Sequence, residues 1–324
     1  MKSAGSLKSY QRLLIFLLLI LAITCVISPW MALGADWVYL KWPSLIGERV
    51  PFPRVFNRAF MVAGIIGFIV ARKFIFPPKL KPLLLPGFGK ATCLLSLGWI
   101  FSFVSTTLVV CLMAIGDVFE PFFRLSLEES ISKLISALFA GIFAGFFEEI
   151  FFRGILFLGL RDDGRPWAAY LFANLFYALL HFVKPGEAYF LNGIDPLAGF
   201  HHFLTTFEPF FHPTDLLPGI FGLFLIGVIL SYALVRTGNL YLSIGLHAGW
   251  VFGLKVIRVF GDFSRQDLGW LFGSTDPKIV SGVATWIGLL LVAAAVRRLT
   301  RHNPQESPEA APRSRGHGQA PAGK

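Results

Sequence analysis

At 324 residues, 55% hydrophobic and only 15% charged, the chain departs from soluble domains, which carry about 25% charged residues. Mean hydropathy is +0.66 and the apolar residues fall in separate runs, so the composition points to a polytopic membrane protein: an all-α bundle of about eight transmembrane helices. The net charge of +10 calls for no nucleic-acid partner, because basic residues gather in cytoplasmic loops and against anionic lipid headgroups.

The basic stretch Met1–Arg12 leads into an apolar run, Leu13–Leu33. It resembles a signal peptide, but the run exceeds the usual ~7–15 apolar residues of one, and an uncleaved first span is expected. Further spans are expected at Phe56–Phe76, Cys93–Ile115, Ile131–Leu160, Trp167–Val183, Leu217–Val235, Leu240–Val256 and Ile279–Val296, each near the ~20 residues that cross the hydrocarbon. Ser126 with Glu129 reads as a capping box that starts the fourth helix at the interface. Cys25, Cys93 and Cys111 all lie inside apolar runs with no pairing pattern and are expected to be buried packing residues.

Eight spans put both termini on one side. The N-terminus, the loop Arg72–Lys90 and the tail after Arg297 are basic, whereas Asp117–Glu129 and Asp262–Asp276 are acidic, so the termini are expected in the cytoplasm. The loop Gly34–Arg58 runs against this pattern, carrying Lys41, Arg49, Arg54 and Arg58 on the outer side. The loop Lys184–Leu216 is expected to be interfacial or re-entrant, with His201, His202 and His212 at no ligand spacing. The Pro- and Ala-rich tail 301–324 is expected to be a disordered cytoplasmic segment. Short loops and a basic tail suit a bacterial inner-membrane protein, and no internal repeat supports a transporter.

One span carries charges. Ala140–Gly159 holds Glu148, Glu149 and Arg153, and an ionised carboxylate at such depth costs at least ~2.5 kcal/mol. Gly141, Gly145, Glu148 and Phe152 fall on one helical stripe, and the two glycines admit a close neighbouring helix. Glu149 sits four residues before Arg153, the favourable order for an ion pair. That leaves Glu148 as the uncompensated carboxylate and a candidate general base. The other titratable groups at depth are His181, with Tyr177 and Asn174 on the same face, and His247, with Ser243 one turn earlier. At 1.5 Å per residue, Glu148 lies ~18 Å, His181 ~21 Å and His247 ~11 Å from the cytoplasmic ends of their helices, so the three can meet in mid-membrane.

Glu148-Glu149-Ile-Phe-Phe-Arg153 resembles the EExxxR signature of the CPBP family of intramembrane proteases, the CAAX proteases and bacteriocin-processing enzymes. Tyr177-Ala-Leu-Leu-His181 resembles its FxxxH motif with Tyr for Phe, and His247-Ala-Gly-Trp-Val251 resembles HxxxN with Val for Asn. The resemblance covers about Ile131–Leu254, so 1–125 is expected as a three-helix membrane region and 126–300 as the catalytic core. It implies that Glu148, helped by His181, activates a water for attack on a peptide carbonyl. His247 would then stabilise the oxyanion, and Glu149 with Arg153 would hold the geometry. Asn174 or Ser243 is the candidate replacement for the donor missing at Val251. Glu148, His181 and His247 could supply three ligands to a divalent metal such as zinc; a metal-free, Glu-activated water is favoured. The implied partners are membrane lipids and a hydrophobic or lipidated peptide. The competing readings are a non-catalytic immunity or scaffold protein and a proton-coupled transporter.

Overall fold

The computed structural model describes residues 7–75, 83–84, 87–162, 166–183, 188–265, 267–273 and 279–301. Of the expected tail 301–324, residues 302–324 lie outside them. Every expected span is helical: α1 Ser9–Lys41, α2 Phe52–Ile75, α3 Phe88–Ile115, α4 Leu127–Arg161, α5 Pro166–Leu180, then α6 Ala198–Thr205 in the long loop, α7 Pro213–Thr237, α8 Tyr241–Val256 and α9 Val283–Leu299. Among the described residues, six of these (α1 to α4, α7 and α8) are long and apolar enough to cross a membrane unaided. The chain is therefore a multi-pass helical membrane bundle. α5 is shorter, and α9 has 17 residues, about 26 Å at helical rise.

Local chemistry sets the ends of these helices. Ser126 and Glu129 form the expected capping box: each side chain bonds the other's backbone N–H at the start of α4. α7 ends on Gly238 with φ 69°, the left-handed conformation that glycine adopts without strain. α4 does not stay α-helical. It widens to a π-helix over Ile150–Phe157, directly after the two glutamates, and α5 does the same over Ala169–Ala173. Extra residues per turn inside a helix are commonly found at functional sites.

α8 is the axis of the bundle, packed between α3 and α4, with most of its residues buried. Small residues make that possible. A Cβ on Gly98 of α3 would stand 2.6 Å from the Leu242 carbonyl oxygen, and one on Gly141 of α4 would stand 2.6 Å from that of Ala248. Substituting Gly141→Ala should therefore push α4 off α8. The expected cost is about 1–3 kcal/mol, seen as a lower melting midpoint in micelles.

A boundary at residue 125 does not divide the packing. α3 belongs to the same packed unit as α8 and α4, while α1 and α2 form a separate antiparallel pair. α3 carries no motif, so only its glycine and serine face revealed its central place. Cys25 is buried as expected, but Cys93 and Cys111 are exposed on α3. An apolar run facing lipid reads like one facing protein.

Hydrogen bonds at the two ends reproduce the expected alternation of helix direction. At one end, β1 (Phe119–Pro121) after α3 pairs antiparallel with β2 (Gly261–Phe263) after α8. The loops after α1 and α5 also meet there, through Phe52 N–H to the Tyr189 carbonyl at 2.8 Å and Arg49 to the Leu191 carbonyl at 2.7 Å. The opposite end joins Arg12 to the Phe74 carbonyl, Tyr241 to the Leu84 carbonyl and Arg236 to Thr300. The anomalous loop Gly34–Arg58 is partly explained, because Arg49 is held in a two-point ion pair with Asp36.

Candidate active site

The charged cluster sits where α4, α5, α7 and α8 converge, and the structure divides the glutamates differently from the sequence reading. The buried stripe of α4 runs Ala137, Gly141, Gly145 and Glu149, every fourth residue. Helices packed through such rows lean across each other, and the row here ends on Glu149, not Glu148. Glu149 is 0% exposed, whereas the Glu148 side chain is 36% exposed at the mouth of the cluster.

Glu149 is not merely neutralised by Arg153. Its Oε1 accepts from Arg153 Nη1 at 2.8 Å and also from His247 Nδ1 at 2.8 Å. A carboxylate only accepts, so His247 carries its proton on Nδ1 and turns Nε2 towards Glu148 Oε2, 3.8 Å away. His181 is set in the same sense: Nδ1–H donates to the Tyr177 carbonyl at 2.8 Å, and Nε2 stands 4.0 Å from Glu148 Oε2. Two imidazole nitrogens and one carboxylate oxygen thus face a common point. Glu148 Oε2 is buried and has no hydrogen-bond partner among the described residues.

Tyr177 fills the space behind these groups. Its ring meets His181 at 4.5 Å, His247 at 6.1 Å and Phe152 at 5.0 Å, all close to edge-on. The Arg153 guanidinium lies 4.4 Å from the ring centroid on the fully buried side. Such a contact between a desolvated cation and an aromatic face is worth about 2 kcal/mol. Arg153 also reaches the Gly227 carbonyl on α7 at 3.4 Å.

The two residues expected to replace the missing amide are occupied elsewhere. Asn174 donates to the Tyr170 carbonyl at 2.8 Å and accepts from Ser231 at 2.9 Å. Ser243 donates to the Leu230 carbonyl at 2.8 Å. Both side chains join helices, and Val251 carries no polar side-chain atom. Sequence reasoning missed Gly227 and Ser231 of α7 as partners of Arg153 and Asn174. A Gly and a Ser in an apolar run give no signal until the facing helix is known.

The spacing also tests a metal. Ligands of tetrahedral zinc at about 2.0–2.1 Å lie about 3.3 Å apart, and the separations from Glu148 are 3.8 and 4.0 Å. Among the described residues, no three His, Cys, Asp or Glu side chains are grouped to hold a metal ion. A water at hydrogen-bond distance from each of the three atoms fits the wider gap.

The cluster can hold a water between a carboxylate and two imidazoles whose outer nitrogens are both anchored. No curated protein and no solved structure matches the chain. Residues 130–253, which contain all of these side chains, match the family of Rce1-like type II CAAX prenyl endopeptidases.

Proposed function

We propose that the protein is an intramembrane endopeptidase that cleaves a membrane-associated polypeptide near a hydrophobic or lipidated end, using water activated by Glu148. The observation that carries this reading is the convergence of Glu148 Oε2, His181 Nε2 and His247 Nε2 within a segment of a protease family.

Charge balance supports a definite proton inventory. Glu149 and Arg153 cancel, so one further proton makes the buried cluster neutral, as a membrane interior favours. Placed on His247 Nε2, that proton leaves Glu148 ionised and gives His247 an N–H aimed into the site. The imidazolium is held by Glu149 at 2.8 Å. Glu148 then takes a proton from the water, and the hydroxide attacks the peptide carbonyl. The oxyanion receives the His247 Nε2–H, and Glu148 returns its proton to the leaving amine as the C–N bond breaks. With Val251 in place of an amide and Asn174 and Ser243 engaged elsewhere, the oxyanion relies on His247.

The basic end of the bundle, with Lys8, Arg12, Arg297 and Arg298, is assigned to the cytoplasm, in keeping with a bacterial inner-membrane enzyme.

The purified protein, reconstituted with a peptide whose lipidated cysteine is followed by a few C-terminal residues, should release the C-terminal fragment, identified by mass spectrometry. Absence of any cleavage product from lipidated and unlipidated peptides alike would sink the reading. Because the proposed mechanism routes no step through a metal, EDTA and phenanthroline are expected to leave the rate unchanged; a loss restored by added zinc would overturn that part.

One observation favours a second reading. With Val251 apolar and both Asn174 and Ser243 committed to helix contacts, the protein suits a non-catalytic scaffold or immunity role. Phenotypic rescue by a Glu148→Ala protein would select it.

A further inference from the structure

One more histidine is buried, outside this cluster. His202 on α6 is 1% exposed, and neither ring nitrogen has a hydrogen-bond partner among the described residues. Three rings enclose it: Phe52 at 5.6 Å and Phe56 at 4.9 Å from α2, and Tyr189 at 5.8 Å from the segment before α6. Burying polar atoms without partners is unfavourable, and a phenylalanine would fill an aromatic pocket without that penalty.

α6 lies where a release would matter. Gly199 rests on the Cys25 backbone of α1 so closely that no Cβ fits, and Ala198 packs with Ala32, Phe52 and Val55. At this end of the bundle, α6 is thus a principal tie between the α1–α2 pair and the remaining helices. A second tie is at the opposite end, where Leu13, Phe16 and Ala71 meet Ile150, Phe151 and Ile155. α6 also belongs to the connection that follows His181.

The charged groups on the elements around His202 are engaged or turned outward. Asp36 of α1 pairs with Arg49, and Asp195 stands 4.0 Å from His201, itself exposed on α6. Arg54 and Arg58 on α2 are exposed, and the remaining titratable neighbours are the Tyr189 phenol and the Cys25 thiol. No described carboxylate is paired with His202, so a charged imidazole there would be buried without a counter-ion.

We propose that α6 is an acid-released latch: neutral His202 holds it on α1 and α2, and protonation of His202 expels it from the aromatic pocket. Histidine is the side chain whose charge changes near neutral pH, and a buried histidine can bias a two-state element in this way. The latch stands independently of the proteolytic reading, and its test needs no substrate.

Cys25, buried beneath α6, is the reporter. Maleimide labelling is measured on the full chain carrying Cys93→Ser and Cys111→Ser, with each rate divided by that of the unfolded chain at the same pH. Between about pH 7.5 and 5.5 the normalised rate should rise about tenfold or more in this parent. It should stay flat when His202→Phe is added, and also with His202→Gln, which keeps a neutral polar side chain should the ring swap disturb folding. A flat parent, or an equal rise in the folded variants, would overturn the latch.

Discussion

Replacing Glu148 by Gln should abolish peptide cleavage, by about 10²–10⁴-fold, while the protein melts at the temperature of the parent. The two halves of this expectation have separate causes. Glu148 Oε2 has no hydrogen-bond partner among the described residues, and its side chain is about one-third exposed, so an amide of the same shape costs little in packing. The amide cannot take a proton from water, so the proposed chemistry stops. Cleavage followed on a quenched peptide, with melting measured in the same micelles, reads both halves. Full activity in a folded Glu148→Gln protein would remove Glu148 from the mechanism. Loss of activity together with collapse would instead make it a structural residue.

Removing Arg153 should have the largest effect on folding. Among the described residues, Arg153→Ala leaves the fully buried Glu149 with His247 as the one ion-pair partner. Breaking one side of a buried ion pair costs about 3–5 kcal/mol, and here the Tyr177 stacking and the contact to the Gly227 carbonyl go with it. The single variant is expected to express poorly and melt far below the parent. The double variant Glu149→Gln, Arg153→Met removes both charges while keeping their bulk, and should regain much of the lost stability. It should not regain activity, because the carboxylate that orients His247 is gone. If the double variant melts no higher than Arg153→Ala, burial of the unpaired charge is not the reason for the collapse.

The fourth helix shows how far one-dimensional pattern carries. That Glu148, Glu149 and Arg153 form a site was legible because charges inside an apolar run are costly and need a partner. The Glu149–Arg153 pair follows from spacing alone and stands at 2.8 Å. The stripe that was to aim Glu148 inward ends on Glu149 instead, because contact with α8 follows every fourth residue and the helix then widens into a π-turn. Helical periodicity cannot anticipate the lean of one helix on another.

Asn174 and Ser243 illustrate a different limit. Each is a polar group at the right depth, and depth can be counted along a helix. Whether its hydrogen bonds are free depends on α7, which contributes Ser231 and the Leu230 carbonyl. His202 was unreadable for the same reason, since its pocket is built from residues about 150 positions away in sequence, Phe52 and Phe56.

Membrane class, the positions of the spans, the candidate residues Glu148, His181 and His247, and the resemblance to a protease family can all be read along the chain. Hydrophobicity, charge cost and short-range spacing act locally and leave their marks along the chain. Helix packing was needed to show which glutamate supports His247, how each imidazole is turned, that α3 belongs to the central packing, and that α6 closes over α1. Those outcomes depend on which helix faces which, and on where each buried donor finds an acceptor.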